Sequence, residues 1–172
     1  MKYTLETKRL LLRPFNHDDA VNVFYGWASD NEVTKYLTWN THKSIEETQN
    51  IINMWVDQYQ KDERINFAIV LKETDTLIGA IDVCGYIEGV PVIGYVLSRK
   101  YWNNGYMTEA FTKVLDFLNK LGHNLIYVDA RVENLRSNKV IKKCGGIYRD
   151  TIDQYLPLKE ETVKINRYKI IK

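Results

Sequence analysis

Between an apolar run ending at Leu97 and a helical pattern beginning at Thr108, the chain reads Ser98-Arg99-Lys100-Tyr101-Trp102-Asn103-Asn104-Gly105-Tyr106-Met107. A polar loop that feeds a helix N-terminus gathers unpaired amides at the positive end of the helix dipole, which suits it to hold a phosphate or diphosphate. Gly105 lets the backbone approach such an anion, and Arg99 and Lys100 just upstream are placed to add charge-assisted contacts. Asn104-Gly105 is also a common hairpin turn, but a hairpin requires a strand next. Phe111, Val114, Leu115 and Leu118 repeat at helical spacing instead. A second constellation, Asn134-Leu135-Arg136-Ser137-Asn138-Lys139, follows a strand-like alternation and opens another helix. Asn134 or Ser137 taken alone is most simply a helix cap. Together, at the carboxyl end of a strand beside the first loop, they border the crevice where open α/β sheets bind ligands.

The elements that must hold these loops follow from periodicity. Residues 4 to 15 read as an opening strand stopped at Pro14. Asn16 is the expected cap of a helix over 17 to 28, whose Ala20, Val23, Phe24 and Trp27 share one face. A short helical turn is expected over 31 to 37. Ser44 and Glu47 form a capping box ahead of a helix reaching about Lys61, with Ile52, Trp55, Val56 and Tyr59 on its apolar face. Strands are expected at 65 to 71, 77 to 86 and 92 to 97, joined as an antiparallel meander by the turns at 72 to 76 and 89 to 91. The helix from Thr108 to Leu121 ends at Gly122. The strand from Leu125 to Val132 should then lie parallel to the one before that helix, because a helix connects them. A shorter helix over 136 to 144 and paired strands near 147 to 155 and 162 to 171 complete one mixed α/β domain over residues 1–172.

Composition narrows the function classes. The 172 residues, 45% hydrophobic and 27% charged, are enough for one autonomous core. Cys84 and Cys144 form neither a redox pair nor a thiolate zinc knuckle, and a reducing, cytoplasmic location is expected. His17, His42 and His123 lack ligand spacing, so no metal is expected. Cys144, at a helix C-terminus, reads as an inert thiol. The first residues carry no apolar leader, and no window suits a membrane span. A formal charge of +2 gives no support for direct nucleic-acid binding. Lys139, Lys142 and Lys143 are most simply a solvated helix face, with a phosphate role second.

Several stretches together resemble the GNAT superfamily of acyl-CoA-dependent N-acetyltransferases, in its RimJ/RimL-type branch. Leu5-Glu6-Thr7-Lys8-Arg9-Leu10 resembles that branch's opening strand, and Ile93-Gly94-Tyr95-Val96-Leu97 its fourth. Tyr101 to Ala110 resembles its pyrophosphate loop and helix start. Asn134-x-x-Ser137 with Lys143-Cys144-Gly145 resembles its next motif. The resemblance implies a mixed, mostly antiparallel central sheet, splayed between the fourth and fifth strands, with helices on both faces. It implies acetyl-CoA as co-substrate and direct transfer of acetyl to a primary amine. The acceptor is either the N-terminus of a ribosomal or other protein or a small amine such as a polyamine, amino acid or antibiotic. Main-chain groups of Tyr95, Val96 and Leu97 would bind the pantetheine arm. The amides of Trp102, Asn103, Asn104, Gly105, Tyr106, Met107 and Thr108 would hold the diphosphate. Asn134 would bond the pantetheine, and Lys139 or Lys142 would meet the nucleotide. A backbone N–H near Val96 or Leu97 would stabilise the oxyanion, and Ser137 would give its proton to the departing sulfur.

Three positions depart from the family pattern. Met107 stands where a small residue is common, Ile141 where a tyrosine often serves as acid, and Val92 where a glutamate often precedes Ile-Gly-Tyr. The base is therefore open among ordered water, Asp82, Glu88, Glu160 and Glu161. His42, with Trp39 and Tyr36, lies in a loop that borders the acceptor in similar proteins. Two rivals follow: a CoA-binding sensor without turnover, and an RNA-binding module that uses the aromatic residues for stacking. The oligomeric state is left between monomer and homodimer.

Overall fold

The computed structural model describes residues 3–61 and 64–172; Met1 and Lys2, on which the expectation of no apolar leader partly rests, lie outside the described residues. The opening strand is two short ones, β1 (Leu5–Glu6) and β2 (Leu10–Arg13). The break has a local cause: the Thr7 hydroxyl accepts from the Leu10 N–H at 2.9 Å and so closes a tight bend. As expected, Asn16 caps the first helical segment and accepts from the Asp18 N–H. This segment is not a uniform helix. A 3₁₀ turn (His17–Asp19) leads into α1 (Ala20–Val23), and a π turn spans Phe24–Ala28. The widened turn ends where both the N–H and the hydroxyl of Ser29 donate to the Phe24 carbonyl. After the short α2 (Asn31–Thr34), Ser44 caps α3 (Ile45–Gln60). Glu47 reaches back to the Lys43 N–H, one residue earlier than a capping box requires.

The meander is present as β3 (Asn66–Leu71), β4 (Thr76–Ile87) and β5 (Val90–Leu97). Every residue of β3 is buried, as the apolar run 67–71 requires of a strand covered on both faces, and the polar Asn66 at its start is buried with them. Gly79 on β4 is obligatory, since a Cβ there would fall 2.4 Å from the Val96 carbonyl oxygen of β5. Then follow α4 (Tyr106–Lys120), β6 (Leu125–Arg131), α5 (Leu135–Lys143), β7 (Ile147–Leu156) and β8 (Glu161–Ile171). The eight strands form one sheet in the order β1-β2-β3-β4-β5-β6-β8-β7. Neighbours are antiparallel except β5 and β6, which run parallel as the helical connection dictates.

Helices cover both faces. Phe111, Val114, Leu115 and Leu118 of α4 and Ile141 of α5 pack with Phe67, Ile69, Ile81 and Ile93. On the other face Trp27, Ile52 and Tyr59 pack with Ala68, Val70 and Ala80. The site is set by the parallel pair. Pairing stops after Val92–Tyr127 and Ile93–Val128, although both strands continue. β5 stays with β4 as far as Leu97, and β6 stays with β8 as far as Arg131, so the two halves of the sheet part. These are the fifth and sixth strands, one later than the sequence count, because the opening strand is divided. Among the described residues no helix is long and apolar enough to cross a membrane.

Candidate active site

A cleft of roughly 1060 Å³ runs through this parting, and the predicted residues Tyr95, Val96, Leu97, Trp102, Asn103, Gly105, Tyr106, Met107, Thr108, Asn134, Ser137 and Lys139 line it. Lys142 and Asn104 are not among its lining residues. Lys142 sits at a neighbouring shallow depression with Leu135 and Asn138. The Asn104 carbonyl accepts from Arg9, and its side-chain amide donates to the Trp102 carbonyl.

The loop before α4 has the backbone of an anion seat. Asn103 and Gly105 both adopt positive φ, 64° and 77°, which asparagine tolerates and glycine takes without strain. Gly105 is itself the N-cap of α4 and supplies no capping side chain, so the first-turn amides stay open to a ligand. Met107 does not crowd them, because it is buried in the core under α4.

The inner wall of the cleft is the free edge of β5. Ser98 N–H donates to the Ile78 carbonyl at 2.8 Å. Antiparallel alternation then directs the main-chain groups of Val96 toward β4 and those of Tyr95 and Leu97 toward the parting. Of the two amides considered for the oxyanion, only that of Leu97 faces the cleft. The Leu97 carbonyl accepts from the Trp102 indole N–H at 2.7 Å, which ties the loop to the strand. Across the opening, Arg136 of α5 lies over the Trp102 ring at 4.8 Å.

On the opposite wall Asn134 caps α5, its side chain accepting from the Ser137 N–H at 3.2 Å. This is the capping role that residue type alone favours. Ser137 meets a partner that sequence did not suggest: its Oγ is 2.8 Å from the Tyr95 hydroxyl, so the two walls touch. Burial raises the Tyr95 phenol far above its ordinary value despite this bond, so it stays protonated in the neutral range. Ile141 is fully buried and cannot serve as acid. Asn138, also missed by sequence reading, anchors α5. Its amide donates to the Arg131 and Asn134 carbonyls and its oxygen accepts from Asn166 and Tyr168.

Beyond β5 the cleft extends toward α3 and the loop after α2. Trp27, Tyr36, Trp39, His42 and Trp55 form apolar walls there. Asn40 donates to the Leu158 carbonyl and Lys159 to that of Thr34, fastening the loop to the β7–β8 turn. His42 bonds Thr48 through Nδ1 at 2.7 Å, and burial lowers its basicity. Of the carboxylates weighed as base, Asp82 alone lines the cleft. It leans over β5, its Oδ1 3.3 Å from where a Cβ on Gly94 would sit. Burial pushes its carboxyl up to about 6, and the Arg64 guanidinium at 2.6 Å only partly opposes this. Glu88 and Glu160 occupy positive-φ turn positions and Glu161 pairs with Arg131. Burial also raises the Cys144 thiol, in keeping with an inert role.

Known proteins share this chain's sequence pattern and fold. The model of the family described as "Acetyltransferase (GNAT) domain" matches residues 9–147. The chain belongs to the GNAT acetyltransferases. An uncharacterized N-acetyltransferase, p20 of Bacillus licheniformis, is 30% identical over 98% of this chain and 96% of its own. A GNAT-family acetyltransferase structure from Bacillus anthracis superposes with a TM-score of 0.85 at 27% identity, covering 98% of both chains. RimL, a ribosomal alpha-N-protein acetyltransferase solved with coenzyme A, shares the fold at a TM-score of 0.82 and 17% identity, over 98% of each chain. The chain is thus an acyl-CoA N-acyltransferase of the GNAT family, whose members draw on acetyl-CoA.

Proposed function

We propose that this GNAT acetyltransferase moves acetyl directly from acetyl-CoA to a primary amine held in one ternary complex. The observation that carries this is the single continuous cleft, which runs from the anion seat at 103–108 past the free edge of β5 to the pocket walled by Trp27, Trp39 and Trp55. The open amides of the seat and the uncovered edge of β5 fit a diphosphate and an extended amide-bearing arm. The charge of Glu109 beside the seat is balanced by Arg9, with Nε to Oε2 at 2.7 Å.

In this reading Asp82 takes a proton from the acceptor ammonium, leaving a neutral amine whose lone pair attacks the acetyl carbon. The Leu97 N–H stabilises the oxyanion. As the carbon–sulfur bond breaks, Ser137 gives its proton to the thiolate and is reprotonated through Tyr95 or from solvent, while the cationic nitrogen loses its second proton to solvent, which also takes the proton held on Asp82 and restores the base. Asn134 serves by capping the helix that presents Ser137. The acceptor is a protein N-terminus, as it is for the alpha-N-protein acetyltransferase RimL, or a small amine; the aromatic walls suit either. The test is acetyl-CoA binding by calorimetry, followed by mass spectrometry of a panel of ribosomal-protein N-terminal peptides, polyamines, amino acids and aminoglycosides. Acetylation of one class in step with thiol release supports the reading. Tight binding without release across the panel would identify a sensor instead.

A further inference from the structure

Arg9, outside the residues that line the cleft, grips the anion loop from behind. It sits in the bend between β1 and β2, and its Nη1 donates to the Asn104 carbonyl at 3.0 Å. Its Nε donates to Glu109 Oε2 at 2.7 Å, and its main-chain N–H donates to Glu109 Oε1 at 2.9 Å. The guanidinium lies 4.3 Å from the centre of the Tyr106 ring. Thr7 Oγ1 adds a 2.6 Å bond to the same carboxylate, so the bend is fastened to the first turn of α4 at several points.

The geometry of a peptide unit gives these contacts a consequence. In a trans peptide the carbonyl and the following N–H point in opposite directions, and no described peptide is cis. Drawing the Asn104 carbonyl onto Arg9 therefore aims the Gly105 N–H away from Arg9, toward the side of the loop that faces the cleft. Gly105 shows the same polarity, because a Cβ built on it would point at Arg9 Nη2, 3.5 Å away. Were this peptide to turn over, a carbonyl oxygen would replace an N–H at the seat and repel an anion. Arg9 also neutralises Glu109, the carboxylate in the helix's first turn that would otherwise oppose a diphosphate there.

Resting on the acetyl-CoA reading above, we propose that Arg9 is a positioning residue that sets the Asn104–Gly105 peptide and the local charge for binding the diphosphate of the acetyl donor. The carboxylate is suited to this link. Burial works against its ionisation, but hydrogen bonds from Thr7 and Arg9 outweigh that and hold Glu109 below the ordinary range.

The test compares two donors on the purified protein: acetyl-CoA, and S-acetylpantetheine, which has the same thioester arm and no diphosphate. Arg9→Met should raise Kd and KM for acetyl-CoA by about tenfold or more, the scale of a charge-assisted hydrogen bond, with kcat at saturation within about twofold. Its kcat/KM with S-acetylpantetheine should match the wild type. Arg9→Lys should recover only part of the affinity, because one ammonium cannot hold both Asn104 and Glu109 as the fork does. Equal losses with the two donors, in either variant, would mean a general structural role and overturn the assignment, as would unchanged acetyl-CoA affinity. A wild-type protein that fails to bind acetyl-CoA would overturn the underlying reading, whereas normal wild-type binding with an indifferent Arg9 overturns this assignment alone.

Discussion

Replacing Asp82 by asparagine tests the proposed base with little change of shape. Asp82 pairs with Asn66 across β3 and β4 and with Gly94 across β4 and β5, so its side chain stands on the face that carries the acceptor pocket. Burial raises its carboxyl to about 6 against the pull of Arg64. A carboxylate base acts only when ionised, so its contribution is present above that value and is lost as pH falls through it. The ionised fraction drops from about nine-tenths at pH 7 to about one-tenth at pH 5. The acceptor's own protonation also slows the reaction over this range, but it affects wild type and variant alike. The informative quantity is therefore the ratio of their kcat/KM values at each pH. Near pH 8 the ratio should be on the order of 10²–10⁴, the usual span of a general base, and it should fall about tenfold between pH 7 and 5. Turnover is followed by loss of thioester absorbance, a signal to which the protein's own free thiols, Cys84 and Cys144, do not contribute. Burial already works against the charged form, so the amide is expected to keep the fold, and thermal melting checks this. A ratio near one, or a large ratio that does not change with pH in a well-folded variant, would refute the role.

Ser137→Ala and Tyr95→Phe should each lower kcat by roughly 10- to 100-fold with KM for acetyl-CoA nearly unchanged, because the 2.8 Å pair acts after the donor is bound. The double variant should be no slower than the worse single one; losses that multiply would show that the two hydroxyls work separately. Gly105→Val should weaken acetyl-CoA binding by about tenfold, through conformation more than obstruction. At φ 77° a β-branched side chain is strained by about 1–2 kcal/mol, while the space beside it holds only Arg9 at van der Waals distance. Calorimetry decides it, and unchanged affinity would contradict the seat.

Much of the scaffold was legible from local pattern. The helical spacing of Phe111, Val114, Leu115 and Leu118, the caps at Asn16 and Ser44 and the polar loop before α4 all depend on neighbours a few residues away, and they appear close to where periodicity put them. The errors were local as well. Thr7 folds the opening strand into a bend through its hydroxyl, and Ser29 widens the end of the first helical segment, both by side-chain bonds to the backbone that hydrophobic spacing does not register.

The working parts of the site could not be read in the same way. Arg9 and Glu109 lie 100 positions apart, Tyr95 and Ser137 lie 42 apart, and only the packed sheet brings them within bonding distance. Residue type left the base open among ordered water, Asp82, Glu88, Glu160 and Glu161; the paired register of β3, β4 and β5 turns Asp82 alone of these carboxylates into the cleft. The chain by itself determined which segments form strands and helices and where the polar loop before α4 falls, because those depend on short-range backbone preference and apolar period. Which side chains face one another across the parting was decided by tertiary structure, since that follows from strand order and register, properties that no single segment carries.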